Sequence, residues 1–333
     1  MTTNACFVSW LGPHVDAYLT LMRAVGRRYD RIETILRHLD RFVANEPPGD
    51  VLLSRSLLER WLASAPHLAA STLRCHASAA RQFCRYMARI EPRTWIPDRS
   101  LYPARVPRFR PYVFSASEVR DLLAAALQLP SRNWALGPQT HFALLLMLYA
   151  TGLRIGEALG LSIRDVDLDG CTLFVAETKF FKSRWVPFSA SLAQQLHRYL
   201  AARMNAVPIA GPDDPFFINS SGKRCNYSRI ARVFRLLIRQ AGIAAPRRRG
   251  RVRLHDLRHT FATHRLFHWY REGADLQAKL PLLATYLGHG SILATHVYLN
   301  STAELLQEAS QRFERTYGSL LNVPREEVDD ALR

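Results

Sequence analysis

Residues 140–161, THFALLLMLYATGLRIGEALGL, decide the architecture of this chain. The apolar run 142–150 falls far short of the roughly 20 residues that a membrane span requires, so it reads as a buried core helix over 140–150. That helix ends at Thr151-Gly152, and a second helix follows from Arg154 to Leu161. Arg154 stands just past the glycine turn and Glu157 lies one helical turn later, close enough to hold the guanidinium by a charge-assisted bond. Taken alone, the two would also suit an ordinary surface ion pair.

Downstream of this segment the period changes. After Asp165-Val-Asp-Leu-Asp-Gly170, the β-prone runs 171–176 and 185–188 flank a polar, basic turn at 177–184, which predicts a β-hairpin. Helical spacing returns from Ala190, broken by loops around 208–215 and 244–250, and ends in a helix over 303–317 that stops at Gly318. Upstream, Ser115-Ala-Ser-Glu118 has capping-box spacing before the helical run 119–127, with Ser115 or Ser117 as the cap. Apolar residues at three- and four-residue intervals predict two amphipathic helices within 15–43 and two more over 56–63 and 70–90.

Between these halves lies a segment in which Pro92, Pro97, Pro103, Pro107 and Pro111 alternate with arginines, a composition that favours extended backbone. The expected organisation is therefore a helical N-terminal domain over 1–95, a basic proline-rich linker over 96–112, a second domain over 113–323 and an acidic tail over 324–333. The expected fold class is mainly α, with a small antiparallel β-sheet or hairpin in the second domain.

Composition narrows the function. Forty-five Lys and Arg against 28 Asp and Glu give a formal net charge of +17, while 48% hydrophobic and 22% charged residues match an ordinary globular chain. A folded body this basic attracts polyanions, and nucleic acid is the leading partner. The amino terminus MTTNACFVSW lacks the basic flank and long apolar stretch of a secretory signal, which predicts a cytoplasmic location on the bacterial nucleoid and no membrane partner. The five cysteines are scattered and never spaced as CxxC, so neither a disulfide framework nor a thiolate zinc site is expected.

Three further stretches carry chemistry. Arg247, Arg248, Arg249, Arg251 and Arg253 crowd one short run, an electrostatic footprint for phosphates. Leu254-His-Asp-Leu-Arg-His259 follows at once, and His255 and Arg258 share a helix face if the segment HTFATHRLF is helical. His255 and His259 at i and i+4 also imitate a zinc hydrolase helix, with Asp256 in place of its glutamate. That imitation is poor, because Arg258 puts a fixed positive charge inside the pair and spacing specifies no third ligand. Last, Tyr286-Leu-Gly-His289 precedes Thr295-His-Val-Tyr298, bringing an imidazole and a phenol into one segment.

Taken in order, TGLRIGEALGL, VRLHDLRHTFATH and YLGHGSILATHVYL resemble the boxes of the tyrosine recombinase or phage integrase family, whose pattern is Arg, Lys, His-x-x-Arg, His or Trp, then Tyr. The resemblance covers roughly residues 115–317. The family's lysine belongs in the β-hairpin turn, where Lys179 is the better match and Lys182 the fallback, the latter otherwise a DNA-binding cation. It implies a two-domain DNA clamp whose N-terminal half is a helical, SAM-like core-binding domain. The implied catalytic set is Arg154, Lys179, His255, Arg258, His289 and the nucleophile Tyr298, with Glu157 in support. The interval from Arg258 to His289 is longer than in compact members, with extra residues around 269–280, as in recombinases of mobile elements.

This residue set suits phosphoryl transfer. A free tyrosine is roughly one part in a thousand phenolate at neutral pH, so Tyr298 needs a cationic pocket or a base. Two guanidiniums can each donate paired hydrogen bonds to non-bridging oxygens and stabilise the pentacoordinate state, so neither a metal nor another cofactor is expected. By resemblance, Lys179 protonates the leaving 5′ oxygen, His255 acts as acid or base near Tyr298, and His289 bonds the phosphate. The product is a 3′-phosphotyrosyl link that a 5′ hydroxyl from another duplex reseals without ATP.

Recombination sites in double-stranded DNA are then the partners, synapsed by a homo- or hetero-tetramer, in the integration, excision or transposition of a mobile element. The terminal helix over 303–317, with Leu305, Leu306, Phe313 and Tyr317 as its apolar stripe, would pack on a neighbouring protomer or on its own domain. Two other functions fit less of the sequence: a type IB topoisomerase-like enzyme sharing this chemistry, and a non-catalytic DNA-binding accessory protein.

Overall fold

The computed structural model describes residues 7–27, 29–47, 52–102, 111–131, 134–178, 182–207, 211–244, 251–289 and 295, apart from the side chains of residues 99, 177, 178 and 182. The chain divides into two compact units, one over 1–108 and the other over most of 109–333.

The first unit is helical: α1 (Gly12–Ala24), α2 (Asp30–Ala44), α3 (Arg55–Ala63) and α4 (Ala70–Met87). Leu11, Leu36, Leu39, Leu58, Trp61 and Phe83 are fully buried among them, which is where the periodic apolar positions of the sequence go. Asp40 of α2 is also buried, and its carboxylate accepts the backbone N–H groups of Val8 (2.7 Å) and Ser9 (3.0 Å) and the Ser9 hydroxyl (2.6 Å), tying the start of α1 to α2. Leu101, at the end of a single 3₁₀ turn at Arg99–Leu101, joins this core, whereas Tyr112 and Phe114 join the core of the second unit.

In the second unit, Ser115 is the cap of α5 (Ala116–Leu127). Its hydroxyl accepts the Glu118 N–H while the Glu118 carboxylate accepts the Ser115 N–H, so the capping box forms at the first of the two candidate serines. The central helix α6 (Gly137–Thr151) is apolar almost all round and packs against α5, α8 (Ala190–Ala206) and α10 (His255–Arg271). A helix apolar on every side must be enclosed by others, and this one forms the axis of the unit.

The short helix α7 (Ile155–Gly160) follows the Gly152 turn. Next comes a three-stranded antiparallel sheet in the order β1-β2-β3, with β1 (Val166–Asp167), β2 (Thr172–Thr178) and β3 (Lys182–Pro187). The hairpin of β2 and β3 matches the change of period. The strand β1, paired with β2 through Val166–Leu173 and Asp167–Thr172, is too short to show any periodicity of its own. Beyond α8, α9 (Tyr227–Gln240) starts at Asn226, whose side chain accepts the Ser228 N–H, and α11 (Leu276–Leu287) starts at Asp275, whose carboxylate accepts the Gln277 and Ala278 N–H groups. The longer interval seen in the sequence thus forms the end of α10, a turn through Gly273 and the first turn of α11.

Candidate active site

Two helix ends build the site. The helix α6 stops at Gly152 (φ +64°) and α11 stops at Gly288 (φ +68°), both in the left-handed conformation that glycine adopts without strain. Each turn turns a backbone carbonyl toward an arginine. Gly152 O accepts Arg258 Nη1 at 2.8 Å, Leu287 O accepts Arg258 Nη2 at 2.6 Å, and Gly288 O accepts Arg154 Nη2 at 3.0 Å. Space enforces the first glycine as well, since a Cβ at 152 would lie 2.5 Å from Phe261 Cδ1.

Arg154 precedes α7 as its cap, so the helix proper starts one residue later than the sequence suggests. Its backbone N–H donates to Glu157 Oε2 (2.9 Å) and its Nη1 to Glu157 Oε1 (2.7 Å), the pairing expected from the spacing. Glu157 has a second cation that the sequence reading left as the mere end of a turn. Arg184 of β3 donates Nη1 to Oε1 (3.2 Å) and Nη2 to Oε2 (2.9 Å), and its Nε donates to Tyr286 O at 2.9 Å. Burial alone would push the Glu157 carboxyl up, but hydrogen bonds and charge from Arg184, joined by those from Arg154, hold it below the usual carboxylate range.

Arg258 lies on α10 and is only 1% exposed. His255, one helical turn earlier, keeps contact with solvent, yet the protein around its ring strips part of the hydration an imidazolium would need. The charges of Arg258, Arg253 and Arg154 add to this, and its pKa falls to about 4. His259 packs edge-on against His255 with ring centroids 4.8 Å apart, and its pKa drops to about 3, through desolvation first and then the charges around it. His289 follows the Gly288 turn, with Nδ1 2.8 Å from the hydroxyl of the fully buried Thr295, and desolvation followed by Arg258 and Arg154 lowers it to about 4. Four of the expected catalytic residues, Arg154, His255, Arg258 and His289, are thus brought together around the Gly152 and Gly288 turns.

The other expectations divide by position. Lys179, Tyr298, Arg247, Arg248, Arg249, the helix over 303–317 and the acidic tail lie outside the described residues, and Lys182 is described only as the first backbone position of β3. Of the basic run, Arg253 serves the start of α10: its N–H donates to Asp256 Oδ2 at 2.8 Å and its guanidinium lies 3.6 Å from Asp256 Oδ1. Asp256 is fully buried in that role, so it does not stand ready as the general base a zinc hydrolase would need. Arg251 lines an open groove with Arg232, Arg235 and Arg239 of α9 over a floor of Ile238, Ile243 and Val252. No helix of the described residues is long and apolar enough to cross a membrane.

A mainly helical unit with a small three-stranded antiparallel sheet is the fold of the catalytic domain of tyrosine-type site-specific DNA recombinases. The model of the phage integrase family matches residues 113–304, and the chain belongs to that family. It is 36% identical over 306 residues to a protein of Sinorhizobium fredii named integrase/recombinase y4rB, covering 91% of this chain and 96% of the other. With the tyrosine recombinase XerC of Pelobacter propionicus it shares 31% identity over 89% of this chain and 90% of the relative. In fold it is similar to the Tn1549 transposon integrase in complex with transposon right end DNA, with a TM-score of 0.64 at 18% identity over 91% of this chain and 98% of that one.

Proposed function

We propose that this recombinase cuts and rejoins double-stranded DNA through a 3′-phosphotyrosyl intermediate on Tyr298, without ATP or a metal, in the integration, excision or transposition of a mobile element. The observation that carries the reading is the docking of Arg258 and Arg154 on the Gly152, Leu287 and Gly288 carbonyls, which fixes two guanidiniums beside His255 and His289 before any substrate arrives. Cations held in advance stabilise charge that develops in a transition state without reorganising at that moment.

Each residue then has a task. Arg154 and Arg258 donate to the non-bridging oxygens of the scissile phosphate. His289, oriented by Thr295, bonds the same phosphate, and His255, neutral at pH 7, takes the phenol proton of Tyr298. Lys179, from the hairpin turn, protonates the 5′ oxygen as it leaves; Lys182 is the alternate donor. Arg247, Arg248, Arg249, Arg251 and Arg253 engage backbone phosphates, which position the duplex without reading it. The names of the relatives support strand exchange between paired sites, and a tetramer of this chain, alone or with a partner recombinase, brings two duplexes together in the cytoplasm.

A suicide-substrate experiment tests the reading: nicked duplexes from the flanks of the encoding DNA segment, incubated in EDTA and resolved on a denaturing gel beside Tyr298→Phe. Wild-type protein forms a covalent adduct and Tyr298→Phe binds the same duplex without one. A duplex that is bound but never joined to wild-type protein overturns the catalytic assignment in favour of an accessory DNA-binding role.

A further inference from the structure

We infer that Arg184 is a positioning residue for strand cleavage, which holds Arg154 in place from two sides and takes up the charge of Glu157 so that the cluster keeps a net positive charge toward the phosphate. The inference rests on the proposed phosphoryl-transfer reading of this site and assigns to β3 a part in it.

The geometry on both sides is direct. Through Glu157, Arg184 closes a cluster in which one carboxylate receives four N–H groups, two from Arg154 and two from Arg184. Through the end of α11, Arg184 donates to Tyr286 O, and its guanidinium packs so tightly on the Gly288 turn that a Cβ there would lie 2.8 Å from Nη1. Gly288 O is in turn the acceptor for Arg154 Nη2. One side chain, 12% exposed, thus fixes the carboxylate and backs the carbonyl turn that together aim Arg154.

Charge explains why a second guanidinium belongs there. A carboxylate beside Arg154 alone orients it but cancels its charge, leaving a neutral pair where an anionic phosphate must bind. One carboxylate between two guanidiniums leaves a single positive charge. Arg184 is the more enclosed member, at 12% side-chain exposure against 39% for Arg154, so the outward-facing cation is Arg154. An arginine rather than a lysine suits the position, because only the planar fork spans both carboxylate oxygens while Nε reaches a third acceptor.

Single-turnover cleavage on a nicked duplex that wild-type protein joins covalently tests this, with Arg184→Gln, Glu157→Gln and the double variant compared at saturating protein. Arg184→Gln is expected to slow cleavage by roughly 10- to 100-fold, the order of loss that a small misplacement of a catalytic group produces, with duplex affinity unchanged. The double variant should lose less than the two single losses combined, because a neutral residue at 157 needs no second cation and only the support of the Gly288 turn is still lost.

A substrate with a methylphosphonate at the scissile position, which lacks the negative charge Arg154 meets, should narrow the gap between Arg184→Gln and wild type. Arg184→Lys, which keeps the charge without the fork, should fall between the two and carries the comparison if Arg184→Gln loses its cooperative melting. Wild-type cleavage rates in Arg184→Gln, or a loss that adds to that of Glu157→Gln and is equal on both substrates, overturns the inference while leaving the proposed function intact. Absence of any wild-type adduct instead removes the proposed function, and this inference with it.

Discussion

The guanidinium of Arg258 is anchored on the backbone of Gly152, donating from Nη1 to the glycine carbonyl at 2.8 Å across 106 positions of sequence. The helix α10 therefore delivers its arginine to the point where α6 ends, and the glycine that ends α6 has two tasks: to turn the chain and to hold the cation to which the proposed function gives a catalytic role.

Gly152→Ala tests the first task. A Cβ at φ +64° is strained and would approach Phe261 Cδ1 to 2.5 Å and Leu287 Cδ2 to 2.9 Å, both within packed core. Backbone strain and overpacking each cost about 1–3 kcal/mol, so the second unit should lose roughly 2–6 kcal/mol. Thermal unfolding followed by circular dichroism would read this as a Tm lower by several degrees; an unchanged Tm would mean that the α6 and α10 ends do not meet as described.

Arg258→Lys keeps the charge but not the fork. A single ammonium cannot reach the Gly152 and Leu287 carbonyls and still offer paired donors to phosphate. Cleavage in the suicide-substrate assay should fall by about 10²- to 10³-fold, as when one preorganised donor is removed from an oxyanion site. Duplex binding, dominated by the other cations, should change little, and a variant that cleaves at the wild-type rate would contradict the role given to Arg258.

Thr295→Val removes one hydroxyl from a fully buried position while preserving shape. Its Oγ1 lies 2.8 Å from His289 Nδ1 and sets the ring's orientation. Loss of one hydrogen bond of ordinary strength, about 0.5–1.5 kcal/mol, predicts a decrease in cleavage of up to roughly tenfold. Rate measurements over pH, with melting temperature as the control, separate this from a packing defect, since the fold should melt within a degree or two of wild type.

Histidine 255, His259 and His289 titrate near 4, 3 and 4 in the folded protein, against an ordinary value of 6.5. With folded values depressed, the unfolded chain takes up protons first as pH falls. Their contribution to stability is therefore complete above about pH 6.5 and declines as pH drops toward 4. Melting curves at pH 7.5, 6 and 5 should show the DNA-free protein losing stability in that order, and His259→Gln should flatten the slope. A Tm that does not decline across this interval would rule out the depressed values.

Much of the fold was legible because its causes are local. The capping box at Ser115 and Glu118, the glycine after α6 and the change from helical to strand period at Cys171 each act over a few residues, and the structure forms α5, α6 and the hairpin there, with α6 starting three residues earlier than the pattern indicates and both strands reaching into the expected turn. Strand β1 was not legible, because two residues carry no period and their pairing with β2 is made by partners further along the chain.

The same division runs through the site. Arg154 and Glu157 are three positions apart and His255 and Arg258 three apart on another helix, so helical geometry alone pairs them in the sequence. Arg184 lies 27 positions from Glu157 and 102 from Tyr286, and Arg258 lies 106 from Gly152, distances over which sequence pattern carries no geometric information. The sequence by itself determined the helical and hairpin elements, the basic charge that calls for a polyanion, and the ordered arginines, histidines and tyrosine that resemble a strand-exchange enzyme. Only the tertiary structure decided that Arg184 shares Glu157 with Arg154 and that two glycine turns hold the arginines. Those choices depend on which helix ends meet when the core around α6 closes, and burial of that core is a property of the whole unit rather than of any segment.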